Sequence, residues 1–205
     1  MDSLESITLI KQHVKVVERL HNEFSGFFYA DPSITSFNLK NTKISTLALN
    51  TNFLATTLRY RDRLSDWVKF ETDLVPLIDQ DWHVCKFNYR TKLEDSFFKK
   101  MHWYLNKLQP YYVLKTFNDL FGARLIIPNF RSFENSLLDY YGSKSDNMVR
   151  RAYIRDDTPS YHGLHLYISP SNTQFPWELQ IWDTADEKAN LFSHDMHEKR
   201  KEDKD

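Results

Sequence analysis

Of 205 residues only four are glycine and one, Cys85, is cysteine. The lone thiol excludes an intramolecular disulfide and suits a reducing compartment. Scarce glycine with 15% aromatic residues argues for a packed core and against disorder. Excess charge of one sign is lacking too, with 27 Lys and Arg against 28 Asp and Glu. No global polycation therefore attracts nucleic acid, and any such binding must use a local patch. No apolar run approaches membrane-spanning length, and the charges spread through residues 1–25 exclude a secretory signal. No membrane partner is expected, and the expected location is the cytoplasm. A Walker-type loop, an internal repeat and a Cys/His metal cluster are also missing, and His194 with Asp195 lacks the further histidines of a metal-dependent phosphohydrolase.

What is present is organised around residues 160–182. Apolar Trp177, Leu179 and Ile181 alternate with Glu178, Gln180 and the amphipathic Trp182, the period-two pattern of a strand with a core face and a polar face. Upstream, Leu4, Ile7, Ile10, Val14, Val17 and Leu20 predict a helix over 4–24 that ends near Gly26. Further helical regions are expected over 44–58 and 64–77, with Pro76 as an end or kink. Then come a strand over 83–89, a helix over 95–108, a strand over 121–127, a helix over 131–141, and strands over 148–154, 164–168 and 177–182. A last helix from 183 fades into a charged, solvated run. The order predicts an α+β fold, a mixed β-sheet flanked by helices. Residues 1–82 are expected to form a helical extension packed on a domain spanning 83–205.

Four clusters carry chemistry. Arg90 and Lys92, two apart on a strand end, precede Ser96, Lys99 and Lys100 on the first turns of a helix, a junction that suits phosphate oxygens. Asp119 and Arg124 flank Gly122 and offer a carboxylate for a divalent metal and a planar cation for stacking on a base. Tyr161 with His165 and Glu178 with Gln180 complete the set. Taken singly, each also reads as plain structure: solvated lysines, a capping Asp, a satisfied core His, a solvent-facing strand edge.

Their joint order, R-x-K-x3-S-x3-K, D-x2-G-x-R, Y-x3-H and E-x-Q, closely resembles the synthetase domain of the RelA/SpoT family, the alarmone synthetases, over residues 89–199. The helical front end resembles the small, single-domain members, and the absent hydrolase domain implies a synthesis-only protein. The resemblance implies a nucleotidyltransferase-like fold and transfer of pyrophosphate from ATP to a ribose 3′-hydroxyl. It further implies that Arg90 and Arg124 sandwich the adenine, that Lys92, Ser96, Lys99 and Lys100 hold the triphosphate, and that His165 steadies phosphate charge. Asp119 and Glu178 would carry Mg²⁺, Glu178 is also the candidate base with Gln180 beside it, and Tyr161 would stack on the acceptor's base.

One departure bears on the acceptor. Family synthetases continue the last strand as E-x-Q-x-R-T, whereas this chain continues with Trp182 and Asp183, and the family's E-H pair is Ser193-His194. The ELQIW-type strand resembles the toxic branch of small alarmone synthetases, some of which pyrophosphorylate the 3′ end of tRNA and are held in check by an antitoxin. The resemblance thus implies tRNA as acceptor, with GDP or GTP as the alternative, and an antitoxin as a possible partner. Arg150, Arg151, Arg155 and His194, with Lys199, Arg200 and Lys201, would serve that acceptor, although all these cations also read as ordinary surface charge. A monomer or small oligomer is expected. A reading of another class is a catalytically silent nucleotide-binding regulatory protein.

Overall fold

The stripe of apolar residues at three- and four-residue spacing winds into α1 (Ser3–Tyr29), opened by a reciprocal capping box between Asp2 and Glu5. The computed structural model describes residues 2–78, 84–143 and 148–202. α1 does not stop near Gly26. It continues one further turn because Phe28 is fully buried, and burying a Phe, about 2 kcal/mol, outweighs the roughly 1 kcal/mol cost of a helical glycine.

The helical region expected over 44–58 is two helices, α2 (Ile44–Leu49) and α3 (Thr51–Trp67). Between them Asn50 accepts hydrogen bonds from the backbone N–H groups of Asn52 and Phe53 and starts a new helix. Pro76 lies in the first turn of the short α4 (Val75–Ile78), where a missing N–H removes no intrahelical bond, so it opens a turn instead of ending one.

Then follow β1 (Lys86–Thr91), α5 (Glu94–Leu105), α6 (Val113–Thr116), β2 (Phe121–Ile127), α7 (Glu134–Gly142), β3 (Val149–Asp157), β4 (Tyr161–Ile168), β5 (Trp177–Asp183) and α8 (Glu187–Glu202). The expected strand start at His83 lies outside the described residues. β4 begins at Tyr161, three residues earlier than expected, and α8 carries the helix into the charged run. The strands form one sheet in the order β1-β2-β5-β4-β3. β2 and β5 run parallel and the other neighbours antiparallel, so the sheet is mixed, as the α+β reading expects.

One face of the sheet is core. Trp177, Leu179 and Ile181 of β5 are fully buried in a cluster with Phe121 and Leu125 of β2, Leu164 and Leu166 of β4, and Val17, Leu20 and Phe24 of α1. Trp177 donates its Nε1–H to the buried Tyr60 hydroxyl of α3 at 2.9 Å. The front helices and the sheet therefore share a core. On the opposite face Trp182, expected among the polar residues, is also fully buried, in a small cluster with Ile126 and Tyr161.

Candidate active site

Strand register lays the polar face out in cross-strand rows. Arg90 pairs with Gly122, Gly122 with Glu178, Glu178 with Tyr167, and Tyr167 with Arg151. In the adjacent row Asn88 pairs with Arg124, Arg124 with Gln180, Gln180 with His165, and His165 with Tyr153. Residues far apart in sequence thus meet because side chains two apart on a strand share a face. A cleft of about 140 Å³, or about 550 Å³ with the space open to solvent, opens over these rows between Arg90, Asp119, Arg124, Glu178 and Gln180. Gly122 lies on its floor, and Arg90 lies across it at ordinary contact distance, 3.9 Å from where a Cβ would be.

Asp119 precedes β2 and is clamped by two ammonium groups, Lys92 Nζ at 2.7 Å from Oδ2 and Lys100 Nζ at 3.0 Å from Oδ1. Burial opposes the charge on Asp119, but these two cations hold its carboxyl far below the usual carboxylate range. Lys92 is shifted the other way from a stable pair: burial pushes its pKa down against the attraction of Asp119. The clamp is accordingly worth less than the Asp119 shift alone suggests, because the Lys92 desolvation cost belongs to the same contact.

Glu178 is held from three sides. Its Oε1 accepts from His165 Nδ1 at 2.9 Å and from the Tyr167 hydroxyl at 2.8 Å, and its Oε2 accepts from Gln180 Nε2 at 3.0 Å. Burial favours the protonated acid, yet the hydrogen bond and charge of His165 outweigh it and leave the pKa lowered. Arg124 spreads its guanidinium over the Trp182 ring at 3.6 Å and donates from Nη2 to Gln180 Oε1 at 3.4 Å. Its Nε is buried without a hydrogen bond, and burial pushes its pKa down to about 10.

Arg90, Lys92, Lys100, Asp119, Arg124, Glu178 and Gln180 are therefore brought together. Ser96 and Lys99 are on the first turns of α5, but neither lines the cleft. The first turn of that helix also carries Glu94 and Asp95, and Glu94 is paired with Arg61 at 2.7 Å.

His165 and Tyr161 lie beside this set and are engaged with protein partners. His165 is buried, and both ring nitrogens are engaged, Nδ1 by Glu178 and Nε2 by the Tyr161 hydroxyl at 2.8 Å, so it has no free nitrogen for phosphate. Tyr161 is buried, packs edge-on against Trp182, and carries the Arg155 guanidinium 4.7 Å from its ring centroid. A base could stack on it only after Arg155 moved.

Arg150 and Arg151 lie beside the cleft. A bulge in β3 between Val149 and Arg151 breaks the alternation, so these consecutive arginines line one pocket of about 210 Å³ together with Lys40, Lys115, Tyr167 and Asn172. Asn172 Oδ1 is buried there without a hydrogen bond. Tyr167 is shared, since its ring lines the pocket and its hydroxyl holds Glu178. Lys40, Lys115 and Tyr167 escaped the sequence reading because the two lysines come from a loop and from the four-residue α6, which carry no periodic signal. The side chains of His194, Lys199, Arg200 and Lys201 lie outside the described residues.

Arg90 and Arg124 line the cleft with two carboxylates, Lys92 and Lys100 pair with one of these, and a second basic pocket lies one side chain away. No protein-family model matches the chain, and no curated protein matches it. Among solved structures, the chain is similar to small alarmone synthetase 1 from Bacillus subtilis bound to its product pppGpp. That likeness has 18% identity, covers 72% of this chain and 80% of that chain, and has a TM-score of 0.43. Small alarmone synthetase 2 from Bacillus subtilis is similar at 17% identity, 71% and 80% coverage and a TM-score of 0.43. A GTP pyrophosphokinase family protein from Streptococcus pneumoniae is similar at 15% identity, 72% and 75% coverage and a TM-score of 0.42. Among the described residues no helix is long and apolar enough to cross a membrane.

Proposed function

We propose that the chain is an ATP-dependent pyrophosphokinase that moves the β,γ-pyrophosphate of ATP to a ribose 3′-hydroxyl, with the 3′ end of tRNA as acceptor. The observation that carries this reading is the cleft itself, lined by Arg90, Arg124, Asp119 and Glu178, with Lys92 and Lys100 paired to Asp119. Arg90 stands at the level of Gly122 and Arg124 two residues along β2, a spacing of about 7 Å along the strands. That spacing would suit one aromatic ring between two guanidinium planes once Arg90, which lies over Gly122, swings aside. Lys92 and Lys100, which pair with Asp119, are the cations that would turn to the triphosphate.

Among the described residues no three metal-ligating groups cluster, but Mg²⁺ that accompanies ATP needs only one or two carboxylates because phosphate oxygens and water complete its shell. The donor set fits, with Asp119 as the carboxylate that would hold the ion. Bound there, Mg²⁺ neutralises phosphate charge and makes the β-phosphorus more electrophilic.

In the transfer the 3′-oxygen bonds to the β-phosphorus, the bond from that phosphorus to the α,β-bridging oxygen breaks, and AMP leaves with that oxygen. The hydroxyl proton goes to Glu178 Oε2. Oε1 already accepts from two donors and Oε2 from one, so Oε2 keeps the lone pair. A lowered pKa makes Glu178 a weak base that is always ionised at neutral pH. Positioning and charge neutralisation supply most of the acceleration.

The pocket of Lys40, Lys115, Arg150 and Arg151 supports a polynucleotide acceptor, whose phosphates continue beyond the reacting ribose. Capping the 3′ end would block charging with amino acid and halt translation, and an inhibiting antitoxin is the partner such an enzyme requires. Incubation with γ-labelled ATP and either tRNA or GDP tests the reading. Label is expected in tRNA. Label in a guanosine nucleotide alone would overturn the acceptor, and ATP binding without any transfer would favour a silent nucleotide-binding regulator.

A further inference from the structure

Trp182 touches Arg124 of the cleft directly and is linked to Glu178 through two buried side chains. One face of its indole carries the Arg124 guanidinium at 3.6 Å. Its Nε1–H donates to the Tyr161 hydroxyl at 3.0 Å, Tyr161 meets His165 Nε2 at 2.8 Å, and His165 Nδ1 meets Glu178 Oε1 at 2.9 Å. The direction of each bond follows from chemistry. An indole nitrogen only donates and an ionised carboxylate only accepts. His165 therefore carries a proton on Nδ1, and in the neutral ring its Nε2 accepts from Tyr161, whose oxygen accepts from Trp182. Trp182, Tyr161 and His165 are all buried, so no water competes for these partners.

We propose that Trp182 is a positioning residue for both halves of the reaction: its ring orients Arg124 for the donor base, and its N–H, through Tyr161 and His165, fixes the direction of the Glu178 carboxylate. The assignment rests on the pyrophosphokinase reading. It moves Tyr161 and His165 from acceptor and phosphate contacts to the support of the base. It also gives the aromatic residue at position 182 a role that an arginine could not fill, because a second cation would repel Arg124 instead of bearing it.

The two arms of Trp182 separate experimentally. Trp182→Phe keeps an aromatic ring beneath Arg124 and removes only the N–H; kcat is expected to fall roughly tenfold, the value of one lost hydrogen bond at the reacting group, with KM for ATP within about twofold of the parent. Tyr161→Phe should give the same loss, and the double variant should be no worse than the poorer single one, because the chain is already broken. Trp182→Leu should in addition raise KM for ATP. Thermal unfolding of each variant confirms that it is folded before kinetics are compared.

A second readout needs no turnover. In a ¹⁵N-histidine spectrum His165 should show its proton on Nδ1 in the parent and in both Phe variants, because Glu178 holds it there, while the Nε2 resonance should move in Tyr161→Phe, which removes its partner. A proton on Nε2 in the parent, full kcat in Tyr161→Phe, or additive losses in the double variant would overturn the proposal. A parent that transfers no pyrophosphate yet shows the locked tautomer would remove the enzymatic reading and leave the hydrogen-bond lock standing, so the two failures are distinct.

Discussion

A Cβ on Gly163 would stand 2.6 Å from Cδ1 and 3.0 Å from Nε1 of Trp182. The glycine is there for space, since its φ is not in the left-handed region. Trp182 is fully buried and cannot retreat. Gly163→Ala is expected to cost about 2–3 kcal/mol through overpacking, read as a lower denaturation midpoint with unchanged slope.

Asp119→Asn should destabilise at neutral pH by roughly 3 kcal/mol, since Lys92 and Lys100 would lose the carboxylate they share. Because the folded pKa of Asp119 is lowered, its contribution is complete above the unfolded value of about 4 and is lost as pH falls below it. Denaturation curves from pH 6 to 2.5 should therefore be steeper in pH for the parent than for the variant. Equal slopes would mean that the clamp is not ionic.

Glu178→Gln is expected to leave ATP affinity within severalfold and to reduce transfer by at least a hundredfold. Isothermal titration against ATP and a label-transfer assay measure the two. Transfer at the parent rate would remove Glu178 from the chemistry.

His21 of α1 is fully buried, its Nε2 is 3.0 Å from the Phe175 carbonyl oxygen, and burial pushes its pKa down to about 4. A depressed pKa stabilises above the unfolded value of about 6.5, and that stability is lost as pH falls toward 4. The parent should lose on the order of 2–3 kcal/mol more than His21→Gln between pH 7 and pH 4. Urea titrations at the two pH values give the difference.

The sequence made β2 legible to the residue, because an apolar run closed by Pro128 has one reading. It also singled out Arg90, Lys92, Lys100, Asp119, Arg124 and Glu178, which the structure brings together. It did not reveal the hydrogen-bond chain of Trp182, Tyr161 and His165, because those contacts join cross-strand neighbours that local pattern does not encode. Gly163 leaves room for the indole, and the indole then captures the tyrosine hydroxyl. The Asn50 break escaped for a related reason, since apolar spacing continues across it and only the cap separates two helices.

β5 is the middle strand, hydrogen-bonded along both sides, whereas β1 and β3 each keep one open side. The carboxylate assigned to proton transfer is therefore anchored in backbone that exchanges its amide hydrogens only when the whole sheet opens, while Arg90 and Arg151 sit on strands that can fray alone. On the proposed reading, part of the ligand-capturing set would sit on the more pliable edge strands and the bond-making carboxylate on the stiffest, central one.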